Sequence, residues 1–361
     1  MYGQALIFLF LLLSWSSCDP DGTKRLDQFG EDMQARAMMY LLSTQSQDGG
    51  WHSPKHGIMR GGEALTAFTN YALSKMRRTS DLVVLDESIT QANSFLATHT
   101  NEQGVLGLTD SDIADYPNYA SAYSILGRIE QGTFSNLDRR SSIYLAEQQF
   151  TAPRGIKSSH KAFGAWGFGE INLRKKRVGH VDLSHTRRCL QALKAANSLS
   201  EQAARDALTF LRKLQINAPD STDHGGFYAS TVTTGTNKAG QKEDGQWRPY
   251  VTTTADGVLA LMACGLPRDH PRVRAGVKFI NRNLNWEAVG GIPKDQVGQW
   301  HLVMLIYQVM VVTEVYAQTG FPPSFKASAL RFLSELQDQN GSFSNPMGAP
   351  NKEDDPILAT A

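Results

Sequence analysis

Apolar residues recur along most of this chain at three- and four-residue intervals, and two kinds of helix alternate. One kind carries Arg, Lys, Glu and Gln between its apolar positions, as in "AMMYLLSTQSQDGGW" from Ala37, and buries a single stripe. The other kind is small and apolar over most of its surface. It reads "GGEALTAFTNYAL" from Gly61, "YPNYASAYSIL" from Tyr116, "DLSHTRRCLQAL" from Asp182, "VTTTADGVLAL" from Val251 and "QWHLVMLIYQVMVV" from Gln299. Such helices need cover on most sides. The alternation predicts two concentric layers, amphipathic helices outside and apolar helices inside, in an all-α protein with almost no strand.

The outer helices end alike. Ala37, Leu41, Gln45, Gly49 and Trp51 set a frame A-x3-L-x3-Q-x3-G-x-W, and Ala329, Leu333, Gln337, Gly341 and Phe343 keep every interval of it. Ala92, Leu96, Thr100, Gly104 and Leu106 form a degraded copy. Leu145 and Gln149 precede Gly164 and Trp166, and Ala207, Leu211 and Gln215 precede Gly225, Gly226 and Phe227. Ala275 and Phe279 with Gly290 and Gly291 give the weakest copy. Units this small cannot bury their own apolar face, so they predict a stacked or closed array. Glycine lets the chain leave a helix in a left-handed conformation. The aromatic after it can pack on the helix end, and the glutamine amide can satisfy backbone groups left open there.

A closed array can use all 361 residues in one domain. The reading divides them into a leader at 1–18, a linker at 19–34 and the helical array at 35–361. In the leader, the nine apolar residues from Ala5 to Leu13 are too few to span a bilayer but suit the core of a signal peptide, although no Lys or Arg precedes them. Trp15-Ser16-Ser17-Cys18 resembles a bacterial lipoprotein processing site, which would make Cys18 the lipidated residue, tethered to a membrane. The expected location is therefore exported, periplasmic or at the cell envelope. Cys189 and Cys264 lie in apolar helical stretches and read first as small buried hydrophobes. A formal net charge of +1 gives no general pull toward nucleic acid.

The A-x3-L-x3-Q-x3-G-x-W frame resembles the QW repeat of squalene and oxidosqualene cyclases. The helix pairs resemble the α/α toroid that those enzymes share with protein prenyltransferase β subunits. "DLSHTRRCLQALKAA", "GGFYAS" and "DDPILATA" are similar to squalene-cyclase-repeat proteins of exported bacterial type, whose activity is generally unassigned. The resemblance covers about residues 35–361 and implies an α/α toroid of about six helix pairs; function must be argued from the site.

Squalene-hopene-type cyclases protonate an alkene with a D-x-D-D-T cluster at an inner-helix start, where crowded carboxylates keep one protonated. Aligned on the threonine, Asp182-Leu183-Ser184-His185-Thr186 keeps only the leading aspartate, and Tyr250-Val251-Thr252-Thr253-Thr254 keeps no acid. Asp256 falls inside the helix, as a rim or hydrogen-bonded group. The prenyltransferase zinc site fares no better: Asp182 can stand for one ligand, but Ser184 occupies the cysteine position and no histidine lies between Val251 and Leu261. A neutral serine supplies neither the affinity nor the nucleophile of a thiolate. Both chemistries are disfavoured, and nothing calls for a bound cofactor.

His180, Asp182 and His185 remain at that end. Asp182 and His185, three apart, share a helix face. Three roles stay open: Asp182 caps the helix, the pair performs acid–base chemistry, or the group holds a metal. Arg174, Lys175, Lys176 and Arg177 form either a solvated loop or a contact for a diphosphate or lipid head group. Phe68, Tyr71, Tyr119, Tyr123, Trp300 and Tyr307 are candidates for a cavity wall that holds an apolar ligand or steadies a cation; core packing explains any one of them. Thr254, Asp256, His301, Gln299 and Glu63 lie along or near inner-helix starts. "EDDPILATA" reads as the start of a sixth inner helix, with Thr360 at the threonine position and Asp354 and Asp355 as helix-start acids. Little more than one turn of it is present: either the chain is shortened relative to its relatives, or a partner or neighbouring subunit covers that side of the ring.

The expected function is binding or processing of an apolar isoprenoid-like molecule or lipid. The alternatives are a carbohydrate-active enzyme using Asp182 or Glu170, which needs paired carboxylates about 5 to 9 Å apart, and a non-catalytic scaffold.

Overall fold

A computed structural model describes residues 20–77, 82–169 and 178–361. The leader, Cys18, Glu170 and the basic run from Arg174 to Arg177 lie outside the described residues. Among the described residues, thirteen α-helices form an α/α toroid, and the only β pairing is in isolated bridges such as Gln215 with Phe227. None of these helices is long and apolar enough to cross a membrane.

The outer ring comprises α1 (Pro20–Ser43), α3 (Val83–His99), α5 (Asn136–Glu147), α7 (Glu201–Leu214), α9 (Pro271–Asn283) and α12 (Phe325–Leu336). Helix α7 shows why they stay outside. Only Ala207, Phe210, Leu211 and Leu214 are buried, one stripe at helical spacing. The inner ring comprises α2 (Glu63–Met76), α4 (Pro117–Glu130), α6 (Leu183–Ala195), α8 (Val251–Ala263), α10 (Trp300–Val303) with α11 (Leu305–Thr319), and α13 (Pro356–Thr360). In α8 every residue but Met262 is buried.

Similar hydrogen bonds join the rings at four turns. The backbone N–H groups of Trp51, Trp166, Phe227 and Phe343 donate to the hydroxyls of Thr66, Thr186, Thr254 and Thr360 at 2.8, 3.1, 3.0 and 2.8 Å. Each preceding glutamine amide donates to a carbonyl of its own glycine turn and to one of the next outer helix, as Gln149 does to Gly164 and Ala203. Trp166 is fully buried and its indole N–H donates to the Leu145 carbonyl at 2.7 Å, so the aromatic does close the helix end. Gly164 has φ +89°, and a side chain there would drive into the Asp206 carbonyl.

Two expectations need correction. Residues 20–34, read as linker, belong to α1, whose Met33 is buried in the core. The helix read from Gln299 is broken at Met304 into α10 and α11. The Glu353 carboxylate accepts the backbone N–H groups of Ile306 and Tyr307 at 3.1 and 2.8 Å, and so caps the second piece from across the fold. Helix α13 packs on α1 and α2, and its Leu358 helps wall the cleft described next. Cys189 is buried and free, as a small hydrophobe.

Candidate functional site

One end of the ring gathers the starts of the inner helices. Asp182 is the N-cap of α6: its backbone is extended and its Oδ1 accepts the His185 N–H at 3.0 Å. The same carboxylate is held by side chains. His185 Nδ1 lies 2.8 Å from Oδ1, His180 Nε2 lies 2.8 Å from Oδ2, and the Ser184 hydroxyl donates to Oδ1 at 2.9 Å. Tyr119 in turn donates to Ser184 at 2.9 Å. Capping and pairing therefore coexist.

Burial opposes the charge of Asp182, yet the His185 and His180 imidazoles outweigh it and hold the carboxyl well below the usual range. Burial lowers the pKa of His185 despite the pull of Asp182, which leaves its ring neutral near pH 7. With Nδ1–H directed at Asp182, Nε2 carries the lone pair. That atom is buried and has no hydrogen-bond partner among the described residues. His180, Asp182 and His185 offer donor atoms within 4.8 Å of one another, the only such group among the described residues. Their 2.8 Å separations are those of direct N–H···O bonds; ligands about 2.0 Å from a tetrahedral zinc would stand about 3.3 Å apart. The arrangement fits an oriented base better than a closed metal site.

Aromatic rings surround that base. The His185 ring lies 4.2 Å from Tyr119 and 4.8 Å from Phe168, and Phe168 stacks on His180 at 4.3 Å. Tyr119 also walls an apolar cleft with Phe68, Tyr116, Tyr123, Met59 and Leu358. The cleft encloses about 320 Å³ including its mouth, of which only about 20 Å³ can take the centre of a water molecule. It is narrow, and its base has room for little more than one water.

The sequence candidates thus separate. Phe68, Tyr119 and Tyr123 meet at this cleft, whereas Tyr71 lines a chamber at the opposite end. Thr254 serves the Phe227 turn. Trp300 lies under Lys238, whose Nζ is 3.7 Å from the ring centre, and His301 is buried with Nδ1 unpartnered. Glu63 is buried and accepts the N–H groups of Gly107 and Thr109, while Gln299 is exposed in a left-handed turn. Asp256 is not at a rim. It accepts Arg187 Nε at 2.9 Å and the Tyr307 hydroxyl at 2.8 Å in the middle of the ring.

That middle is ionic. Arg187 Nη1 reaches Glu314 Oε2 at 3.0 Å, and Arg188 Nη2 reaches Glu314 Oε1 at 3.2 Å while its guanidinium covers the Tyr123 ring at 4.5 Å. Burial opposes the Arg187 charge, but Glu314 and Asp256 hold its pKa well above the ordinary value. Arg188 and Arg187 likewise outweigh burial and lower the Glu314 carboxyl. Sequence reasoning missed Arg187, Arg188 and Glu314. The signal was present: Arg187, Arg188 and Glu314 interrupt inner helices, and a charge there needs a buried partner.

The sequence matches no family model and no curated protein. Solved structures do match in fold. The type II terpene cyclase MstE from Scytonema, in complex with geranylgeranyl dihydroxybenzoate, is 16% identical with a TM-score of 0.55, over 91% of this chain and 87% of that one. D-mannose isomerase is 11% identical with a TM-score of 0.58, over 96% of both chains. A protein from Actinoplanes is 13% identical with a TM-score of 0.55, over 89% of this chain and 88% of that one. At such identities the likeness is one of fold alone: an α/α toroid.

Proposed function

We propose that this protein binds the end of an apolar, isoprenoid-like chain in the aromatic cleft, and that His185 exchanges a proton with it. The observation that carries the reading is the unpartnered, buried Nε2 of His185 beside Tyr119, a wall of that cleft. Asp182 fixes the tautomer, so Nε2 acts as base and, once protonated, as acid. The flanking rings would favour a cationic state of ligand or imidazole. MstE, of the same fold, holds a geranylgeranyl compound, which supports the isoprenoid class.

Cyclisation in the squalene-hopene manner is not part of this proposal. The D-x-D-D acid is absent, and a cleft this narrow takes a chain end rather than a coiled polyene. The carbohydrate reading has less behind it, because histidines rather than a second carboxylate flank Asp182. We further propose export, with Cys18 as lipid anchor. Cys18→Ala should move the protein from the membrane to the soluble fraction.

The test is native mass spectrometry with lipid extraction on protein purified from its own cells. A co-purifying isoprenoid or other lipid is expected. It should be converted by wild type and retained unconverted by His185→Ala. A protein that is empty, and stays empty after incubation with squalene and polyprenyl diphosphates, would overturn the proposal in favour of a scaffold.

A further inference from the structure

At the opposite end, where the inner helices finish, a chamber of about 510 Å³ opens between Leu126, Arg188, Lys194, Leu259, Glu314 and Ala317. Its size falls within the range of small-molecule sites, roughly 300 to 1,000 Å³. We propose that this chamber binds a small organic carboxylate with an apolar body. The inference is independent of the chemistry assigned to His185, which lies at the other end.

The charge balance carries the argument. Among the described residues, the ion group in and beside the chamber sets Arg187, Arg188 and Lys194 against Asp256 and Glu314. Within that group one positive charge is left over. Lys75 is matched by Glu130 at 2.8 Å, and Lys194 donates to the Met262 carbonyl at 2.8 Å, where a cation complements the helix end. Arg188 sits two turns deeper, so that explanation does not reach it. Only 2% of it is exposed, it shares Glu314 with Arg187, and its Nε is buried without a partner. Arg188 lines the chamber and carries one unpartnered donor, and a guanidinium with a donor to spare is the group that recognises a planar carboxylate. Leu126, Leu259 and Ala317 give that carboxylate's body an apolar surround.

The probes are octanoate, octan-1-ol and octylammonium, titrated calorimetrically into the full chain. Octanoate should bind one-to-one, and the alcohol and the amine at least ten-fold more weakly. Arg188→Gln should weaken octanoate at least ten-fold. Because that change disturbs a buried ion pair, Ala317→Trp, which fills the chamber and keeps every charge, must do the same. His185→Ala should leave octanoate binding within two-fold, so the two proposals fail separately. Equal binding of octan-1-ol, octanoate binding that survives Ala317→Trp, or no octanoate binding would each overturn the inference.

Discussion

The side-chain amide of Gln337 donates to the carbonyl of Met33 at 3.0 Å and to that of Gly341 at 3.0 Å, tying the last outer helix to the first. The same glutamine geometry elsewhere joins neighbours in sequence; here it joins residues 304 apart. Gln337→Ala should cost about 1 to 3 kcal/mol, two hydrogen bonds at about 0.5 to 1.5 kcal/mol each. Chemical denaturation measures the loss. Hydrogen exchange should locate it, with protection falling first in α1 and α12.

Asp182 has two duties that one substitution separates. Asparagine caps helices about as well as aspartate, whereas alanine loses about 1 kcal/mol. Asp182→Asn should therefore keep most of the stability and remove the charge that orients His185, while Asp182→Ala should lose both. Nitrogen NMR of the His185 ring is the check: a proton on Nδ1 in wild type, and no fixed tautomer in Asp182→Asn.

The ion pairs in the ring's middle are expensive to break because both partners are out of water. Glu314→Gln leaves Arg188 and part of Arg187 without their carboxylate and should destabilise by about 3 to 5 kcal/mol. Glu201→Gln, which removes the exposed partner of Arg205, should leave the thermal midpoint unchanged. Differential scanning calorimetry of the two variants makes the comparison.

Asp115 supplies a pH dependence. Its Oδ2 accepts the Ala64 N–H at 3.1 Å, but its Oδ1 is buried without a partner, and burial, with nearby Glu63, lifts the carboxyl to about 7. The folded protein thus keeps a proton that the unfolded chain has released above about pH 4. This group's contribution is fully present below pH 4 and is lost as pH rises to about 7, by up to about 4 kcal/mol. Asp115→Asn, neutral throughout, should lack that downward slope in urea melts from pH 4 to 7.

Local signals in the sequence carried most of the fold. Gln337, Gly341 and Phe343 act within one turn, and Thr360 follows on the next helix, so spacing alone exposes them. The two layers followed from helices with one apolar stripe, such as α7, and uniformly apolar ones, such as α8; the toroid followed from the resemblance of the glutamine–aromatic frame. Long-range pairings were not legible. Nothing near Met304 announces that Glu353 will cap α11, and nothing near Arg188 announces Glu314, 126 residues on. Asp182 and His185 were visible as a pair because three residues separate them. Phe168, which stacks on His180, arrives from a preceding loop, and no periodicity marks it. The start of α1 is polar, yet an outer helix needs only one buried stripe.

The Arg187–Asp256–Tyr307 cluster, with Glu314 and Arg188, also sets what traffic the ring permits. These side chains join α6, α8 and α11, Arg188 also covers Tyr123 of α4, and both arginines are almost wholly buried. Among the described residues, these side chains fill the waist of the ring. If both proposed sites are real, a molecule admitted at the His185 face would leave by that same face, and one held beside Lys194 would not meet it. The two ends would then be loaded, emptied and inhibited as separate compartments of one ring.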